Sequence, residues 1–302
     1  MYRIYTTILL LFTLSLHAQS EQFSFLKPSD SLHIPRRNAV VYTTAGIATT
    51  ALIGLNQLWY KDYPQSQFHF INDNDEWMQM DKAGHLLSCY HLSRLSAETF
   101  QWAGMSPKSQ LLYGAASAWA FMSVVEVFDG YSAEWGASWG DVVANTTGTA
   151  LFVGQELLWH EQRILPKFSF HQTYFAPLRP NVLGSSWNEQ LLKDYNGQTY
   201  WLSFTMASFV HSKIIPKWLQ LAVGYGATGM VTGRSENSSE SIYPSYARKR
   251  QFYLSLDINL QKIPTKNRVL KTLFSALNFV KIPAPTLEYQ ASGKWFGHWI
   301  YF

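Results

Sequence analysis

Three short patterns in the first half of the chain bring together side chains capable of chemistry. Asp81-Lys82-x-x-His85 opens a helical stretch, with Asp81 and His85 one turn apart on a single face. Glu126-x-x-Asp129 closes the next helical stretch, again on one face. Ser138-x-x-Asp141-x-x-x-Asn145-x-x-Gly148 opens a third and sets Asp141, Asn145 and Gly148 in one stripe. Two of these have a plain structural reading. Ser138 and Asp141 match a capping box, and Asp81 suits the positive end of a helix dipole. Glu126 and Asp129 do not fit so easily, because the dipole disfavours acids at a helix C-terminus. They require a cation nearby, and Lys82 or protonated His85 can supply it. Neighbouring helices that alternate in direction bring all three patterns to one end.

Buried charges persist only when paired. The cluster is therefore read first as an ion-pair and hydrogen-bond network that joins helices. An alternative makes His85 a general acid–base with an acidic partner, Glu126 or Asp141. A small-ligand or lipid-headgroup site is a third use of the same groups. A metal is set aside, because dinuclear carboxylate bundles carry Glu-x-x-His on two helices and this chain has none. Cys89 is the one cysteine, which excludes an internal disulfide and a thiolate metal site. No cofactor is expected: nucleophile elbow, phosphate-binding glycine loop and His-Glu-x-x-His helix are all missing.

The elements that must position these residues are apolar helices. Asn38 to Tyr60 carries no charge and is rich in Ala, Thr and Gly, with the length of a bilayer span and the small residues of close helix contacts. Further helices are read at 80–103, 108–129 and 139–160, separated by Gly104 with Pro107 and by the stretch from Gly130 to Gly140. Trp59, Trp77, Trp102, Trp135, Trp139 and Trp159 fall near segment ends, in the manner of interfacial aromatic belts. Charged residues make up only 15% of the 302, against about 25% in a soluble domain. Residues 38–165 are accordingly expected to form a four-helix bundle of membrane type.

Beyond about residue 165 the period becomes two, as at Tyr200–Ala207 and Gln251–Leu260, which means strands. Four or five strands are read, too few for a membrane barrel of about eight, so 166–302 is expected to be a small antiparallel sheet. A basic amphipathic helix from Pro264 to about Val280 is expected to cover one face of that sheet. The fold class is α+β. An apolar run from Ile4 to Leu16 ending at Ala18 reads as a signal peptide over residues 1–18. Lys+Arg number 11 against 14 Asp+Glu up to residue 180, and 13 against 6 beyond it. In an exported chain without nucleic-acid motifs, such a basic half points to a membrane surface rather than to nucleic acid.

Taken together, "Asp81-Lys82-x-x-His85 … Glu126-x-x-Asp129 … Ser138-x-x-Asp141-x-x-x-Asn145-x-x-Gly148" resembles the YfiM-like family of Gram-negative envelope proteins, and more distantly VanZ-like membrane proteins. The resemblance covers roughly residues 40–160. It implies an envelope location, the outer membrane ahead of the inner, and carries no activity; unlike the family's lipoproteins, this chain shows no lipidation cysteine. The expectation is an envelope protein in a structural or accessory role, with membrane lipid and another envelope protein as partners. The alternative is a membrane-lipid-modifying enzyme that uses His85.

Overall fold

The computed structural model describes residues 27–210, 212–234 and 246–302; the signal peptide read at 1–18 lies outside them. The fold is α+β. Helix α1 (Ile34–Leu55) starts at His33, whose ring nitrogen accepts from the Arg36 amide, and continues as a wider turn to Tyr60. Helices α2 (Met80–Trp102), α3 (Pro107–Tyr131) and α4 (Trp139–Trp159) follow, with Ser106 and Ser138 as side-chain caps of the last two. Serine at such a position satisfies amides that the first helical turn leaves free.

Helix α2 packs along both α3 and α4. Glycine allows the approach: a Cβ at Gly148 of α4 would lie 2.2 Å from the Leu86 carbonyl oxygen of α2. Helix α1 stands apart. Val40 is its one buried residue, and nothing comes within 4 Å of a Cβ placed at Gly46 or Gly54. It is held at its start, where the Ser29 and His33 amides donate to the Trp102 and Ala103 carbonyls. Gly46 and Gly54, read as helix-contact positions, therefore meet no partner among the described residues.

The second half is a six-stranded antiparallel sheet in sequential order: β3 (Ile164–Phe170), β4 (Gln198–Thr205), β5 (Leu219–Thr228), β6 (Lys249–Ile258), β7 (Ala284–Gln290) and β8 (Lys294–Tyr301). A short parallel pair, β1 (Phe70–Ile71) with β2 (Ala137–Ser138), lies beside the helices. The sheet has more strands than the sequence suggested, because β3 and β7 lack a clean alternation. β3 also carries Pro166, which an edge strand tolerates; its far edge is closed by the 279–281 segment, with Phe168 N to Phe279 O at 2.8 Å and Lys281 N to Phe168 O at 2.9 Å.

The sheet is inverted relative to a soluble one. Leu202, Val223, Leu254 and Leu287 pair across successive strands and are exposed, as are Phe252, Leu256, Trp295 and Trp299. The opposite face buries Ser203, Gln220, Ser255, Asp257, Thr286 and Glu288. Lys167 and Asp257 form an ion pair of 2.9 Å with both side chains fully buried. The sheet also curls on itself. Thr199 on β4 and Tyr301 on β8 put their hydroxyls 3.0 Å apart, whereas four strand spacings in a flat sheet would separate them by about 19 Å.

Helix α6 (Arg268–Leu277), capped by Asn267, does not cover the sheet with its apolar face. Val269, Leu270, Leu273 and Leu277 are exposed. The helix is held instead through polar groups, since Arg94 donates to Ser275 Oγ and to the Ser275 carbonyl, both at 2.8 Å. Helix α5 (Trp187–Lys193), with the capping box Ser186/Glu189, lies between β3 and β4 in the chain.

Candidate functional site

The starts of α2 and α4 and the end of α3 converge. Lys82 occupies the centre, with Nζ at 2.5 Å from Asp73 Oδ2, 2.9 Å from Asp141 Oδ2 and 3.3 Å from Asp81 Oδ2. A Cβ at position 140 would press on Lys82 Cε at 2.9 Å, so Gly140 leaves the lysine its path. The Ser138 hydroxyl donates to Asp73 Oδ1 at 2.5 Å while accepting from the Gly140 and Asp141 amides. The Ser138 amide in turn donates to Glu126 Oε2 at 3.1 Å. Thus the acid at the end of α3 is met by the cap of α4.

His85 lies among four acceptors. Its Nδ1 stands 3.2 Å from Asn145 Oδ1 and 3.5 Å from Glu126 Oε1. Its Nε2 stands 3.7 Å from Asp81 Oδ1 and 3.8 Å from Asp141 Oδ1. Asp81 Oδ1 accepts from the Tyr195 hydroxyl at 2.8 Å, which ties the site to the segment leading into β4. Glu126 and Asp141 are only 5% and 4% exposed, and Glu126 Oε1 and Asp141 Oδ1 each lack a hydrogen bond. Asp81 Oδ1, His85 and Asp141 place one ligand atom each within 4.8 Å of one another, close enough to share a metal ion.

Charge balance sets the protonation. Burial opposes a charge on His85, but the carboxylates of Asp81, Asp141 and Glu126 outweigh it and raise its pKa. Burial likewise opposes Lys82, and Asp81 and Asp141 more than compensate. For Asp81 the cost of burial is outweighed by His85 and Lys82, so its pKa is lowered. Asp141 goes the other way, pushed up to about 8 by burial and then by the Asp81 charge.

Seven of the eight residues singled out from the sequence, Asp81, Lys82, His85, Glu126, Ser138, Asp141 and Asn145, are linked by these contacts. The eighth, Asp129, sits one turn on and accepts from the Tyr60 hydroxyl at 2.8 Å. Sequence reasoning missed Asp73 and Tyr195. Asp73 lies in a loop with several polar residues, and only its β1–β2 neighbourhood brings it to Ser138; Tyr195 carries no spacing signal.

Just before Asp81, the backbone of Trp77, Met78 and Gln79 turns left-handed, with φ of 46°, 51° and 63°. Non-glycine residues pay for that conformation. Here strands β5 and β6 hold it: Tyr225 donates to the Met78 carbonyl and Arg250 Nη1 to Gln79 Oε1 at 2.7 Å. The sheet thus fixes the turn from which α2 presents Asp81, Lys82 and His85.

Comparison with known proteins bears on this region. No curated protein and no solved structure matches the chain. A family match supports an uncharacterised family of the cell envelope: residues 69–155, which hold all the clustered positions except Tyr195, are similar to the family described as predicted periplasmic lipoprotein (DUF2279).

Proposed function

We propose that this is an integral protein of the bacterial envelope, with a structural or accessory role and membrane lipid as its surroundings. The observation that carries the reading is the apolar exterior of the sheet, set opposite a buried face that mixes the polar groups named above with the packed rings of Trp201, Tyr253 and Tyr301. That alternation is what lipid-facing strands require, and water would select against it. Two helices, Ile34–Tyr60 and Pro107–Tyr131, have the length and composition to cross a bilayer, and α1 offers Tyr42, Ile47 and Ile53 to its surroundings. In this reading lipid completes what the helix bundle lacks, by covering α1 and the outer sides of α3. A hollow of about 570 Å³ on the strands, lined by Leu221, Leu254, Leu256, Leu287 and Trp299, could take an acyl chain. The outer membrane is favoured over the inner, in keeping with the likeness of residues 69–155 to a family described as periplasmic lipoproteins. Within this body the Asp/His/Lys network locks α2, α3 and α4 to one another and, through Tyr195, to the sheet.

Cell fractionation tests the placement. The full chain is expected in the membrane fraction, resistant to high salt and released by detergent; recovery in the soluble periplasm overturns it. The crowding of His85 by Glu126, Asp81 and Asp141 favours a second reading, a lipid-modifying enzyme. Alanine at His85 and Glu126 separates the two. Lost abundance supports the lock, and normal abundance with an altered lipid profile supports the enzyme.

A further inference from the structure

We propose that His85 Nε2, Asp81 Oδ1 and Asp141 Oδ1 form a binding site for one divalent transition-metal ion. The three residues come from two helices, and the ligand atoms they offer lie within 4.8 Å of one another. The gaps from His85 Nε2 to the two carboxylate oxygens, 3.7 and 3.8 Å, are too wide for hydrogen bonds. They fit donors that share an ion, since two ligands about 2.1 Å from a tetrahedral metal stand roughly 3.4 Å apart. Asp141 Oδ1, on a side chain almost wholly buried, accepts no aligned hydrogen bond, and its cation contact is Lys82 Nζ at 2.8 Å. It is an acceptor held out of water whose charge is met by one ammonium that Asp73 and Asp81 also share.

The other side of the imidazole agrees. Nδ1 is flanked by two acceptors, Asn145 Oδ1 and Glu126 Oε1. They hold the Nδ1 proton in place, so that an incoming metal ion takes the Nε2 position by displacing the other ring proton to solvent. A ligating histidine whose second nitrogen donates to a carboxylate or amide oxygen is the usual support of a metal site. The charge count points the same way, because four carboxylates (Asp73, Asp81, Glu126, Asp141) surround Lys82 and His85. One imidazole with two carboxylates suits Zn²⁺ or Mn²⁺ better than Mg²⁺.

Lys82 is the competitor. Its Nζ bonds the Oδ2 atoms of Asp73, Asp81 and Asp141, and also stands 2.8 Å from Asp141 Oδ1 without the alignment of a hydrogen bond. Ion and ammonium would share Asp141, with Asp73 retaining the lysine. The Glu-x-x-His pairs whose absence removed a metal from the sequence reading are not needed, since Asp-x-x-x-His on one helix and Asp141 on another supply the ligands.

The test uses the full chain purified in detergent, stripped with chelator and titrated with Zn²⁺ by calorimetry, with Co²⁺ as a spectroscopic probe. One Zn²⁺ per chain is expected, with Co²⁺ absorption of a nitrogen–oxygen site. Asp141→Asn and His85→Gln should weaken binding at least tenfold, and Glu98→Gln, in the separate Arg94–Ser275 network, should not. Lys82→Ala should bind Zn²⁺ more tightly than the parent chain, and Zn²⁺ should raise its melting temperature. Even if both ligand variants fail to fold, the parent chain and Lys82→Ala decide the matter. Absence of stoichiometric Zn²⁺ in both, or binding that survives both ligand variants, overturns the site and leaves the membrane placement untouched.

Discussion

The Tyr195 hydroxyl is one of several groups that join the two halves of the molecule, and it does so by donating to Asp81 Oδ1 at 2.8 Å. Hydrogen bonds to charged groups contribute about 1.5–3 kcal/mol, so Tyr195→Phe should lower the unfolding free energy by roughly that amount. A double-mutant cycle with Asp81→Asn, read by denaturant unfolding, should show coupling; additive losses would mean the contact does nothing. The buried pair inside the sheet gives a larger number. Lys167→Met leaves Asp257 with Ser203 and the Ile282 amide as its hydrogen-bond donors, and stranding a buried charge costs about 3–5 kcal/mol. Adding Asp257→Leu should recover most of that loss, because the second change removes the stranded charge. Lys281 supplies a pH dependence. Burial depresses its pKa to about 8, against a partial rescue by Asp257 and with Lys167 adding to the depression. Its folded pKa lies below the unfolded one, about 10.4, so folding releases a proton between those values. The parent chain should therefore gain stability from pH 8 toward 10.4 relative to Lys281→Met, and parallel pH profiles for the two chains would contradict it.

The helices and caps around the site follow from local sequence in a way that the sheet's shape does not. Ser138 before an apolar stripe, and Gly104 with Pro107 between segments, state helix boundaries through capping and backbone restriction, and α2, α3 and α4 lie where those signals put them. The alternation at Tyr200 and Phe252 likewise marks β4 and β6 as strands. Period two, however, says nothing about which face is wet. A strand with apolar residues outward and polar residues inward has the same pattern as its opposite, and the choice is made by the partners that Lys167 and Asp257 find in each other between non-adjacent strands and that Glu288 finds in Gln251 and His298 on the strands beside it. The same limit hid the orientation of α6, whose amphipathic pattern is clear and whose polar anchors, Arg94 and Asn259, are far away in the chain. Helix contacts are testable at Gly148. A leucine there would drive its Cβ into the Leu86 carbonyl, 2.2 Å away in the present packing, and forcing backbones apart costs about 1–3 kcal/mol. Gly148→Leu should lower the melting temperature and break the His85–Asn145 contact, while the same change at Gly46, which meets nothing, should leave stability within about 0.5 kcal/mol.

Across the molecule, large apolar side chains are exposed on several elements, among them α1, α3, α6 and the strands of the sheet. The apolar face of α6 points outward beside exposed Lys266 and Lys271, the arrangement of a helix lying in the headgroup region of an anionic membrane. Burial of Leu270, Leu273 and Leu277 supplies the apolar part of the attraction. Each lysine near the surface adds about 1 kcal/mol when the lipid is anionic, and salt screens that part alone. The two contributions can therefore be separated. With the full chain reconstituted into vesicles, a fluorophore on α6 should report a shallow apolar environment, with and without anionic lipid. Leu273→Asp should shift that signal toward water in both vesicle types, whereas Lys266→Glu with Lys271→Glu should shift it only in anionic vesicles, and only at low salt. A probe equally water-exposed in every chain and vesicle would place α6 away from the bilayer. The apolar face would then have to be covered by protein, and the inverted sheet would need a partner chain where lipid is now proposed.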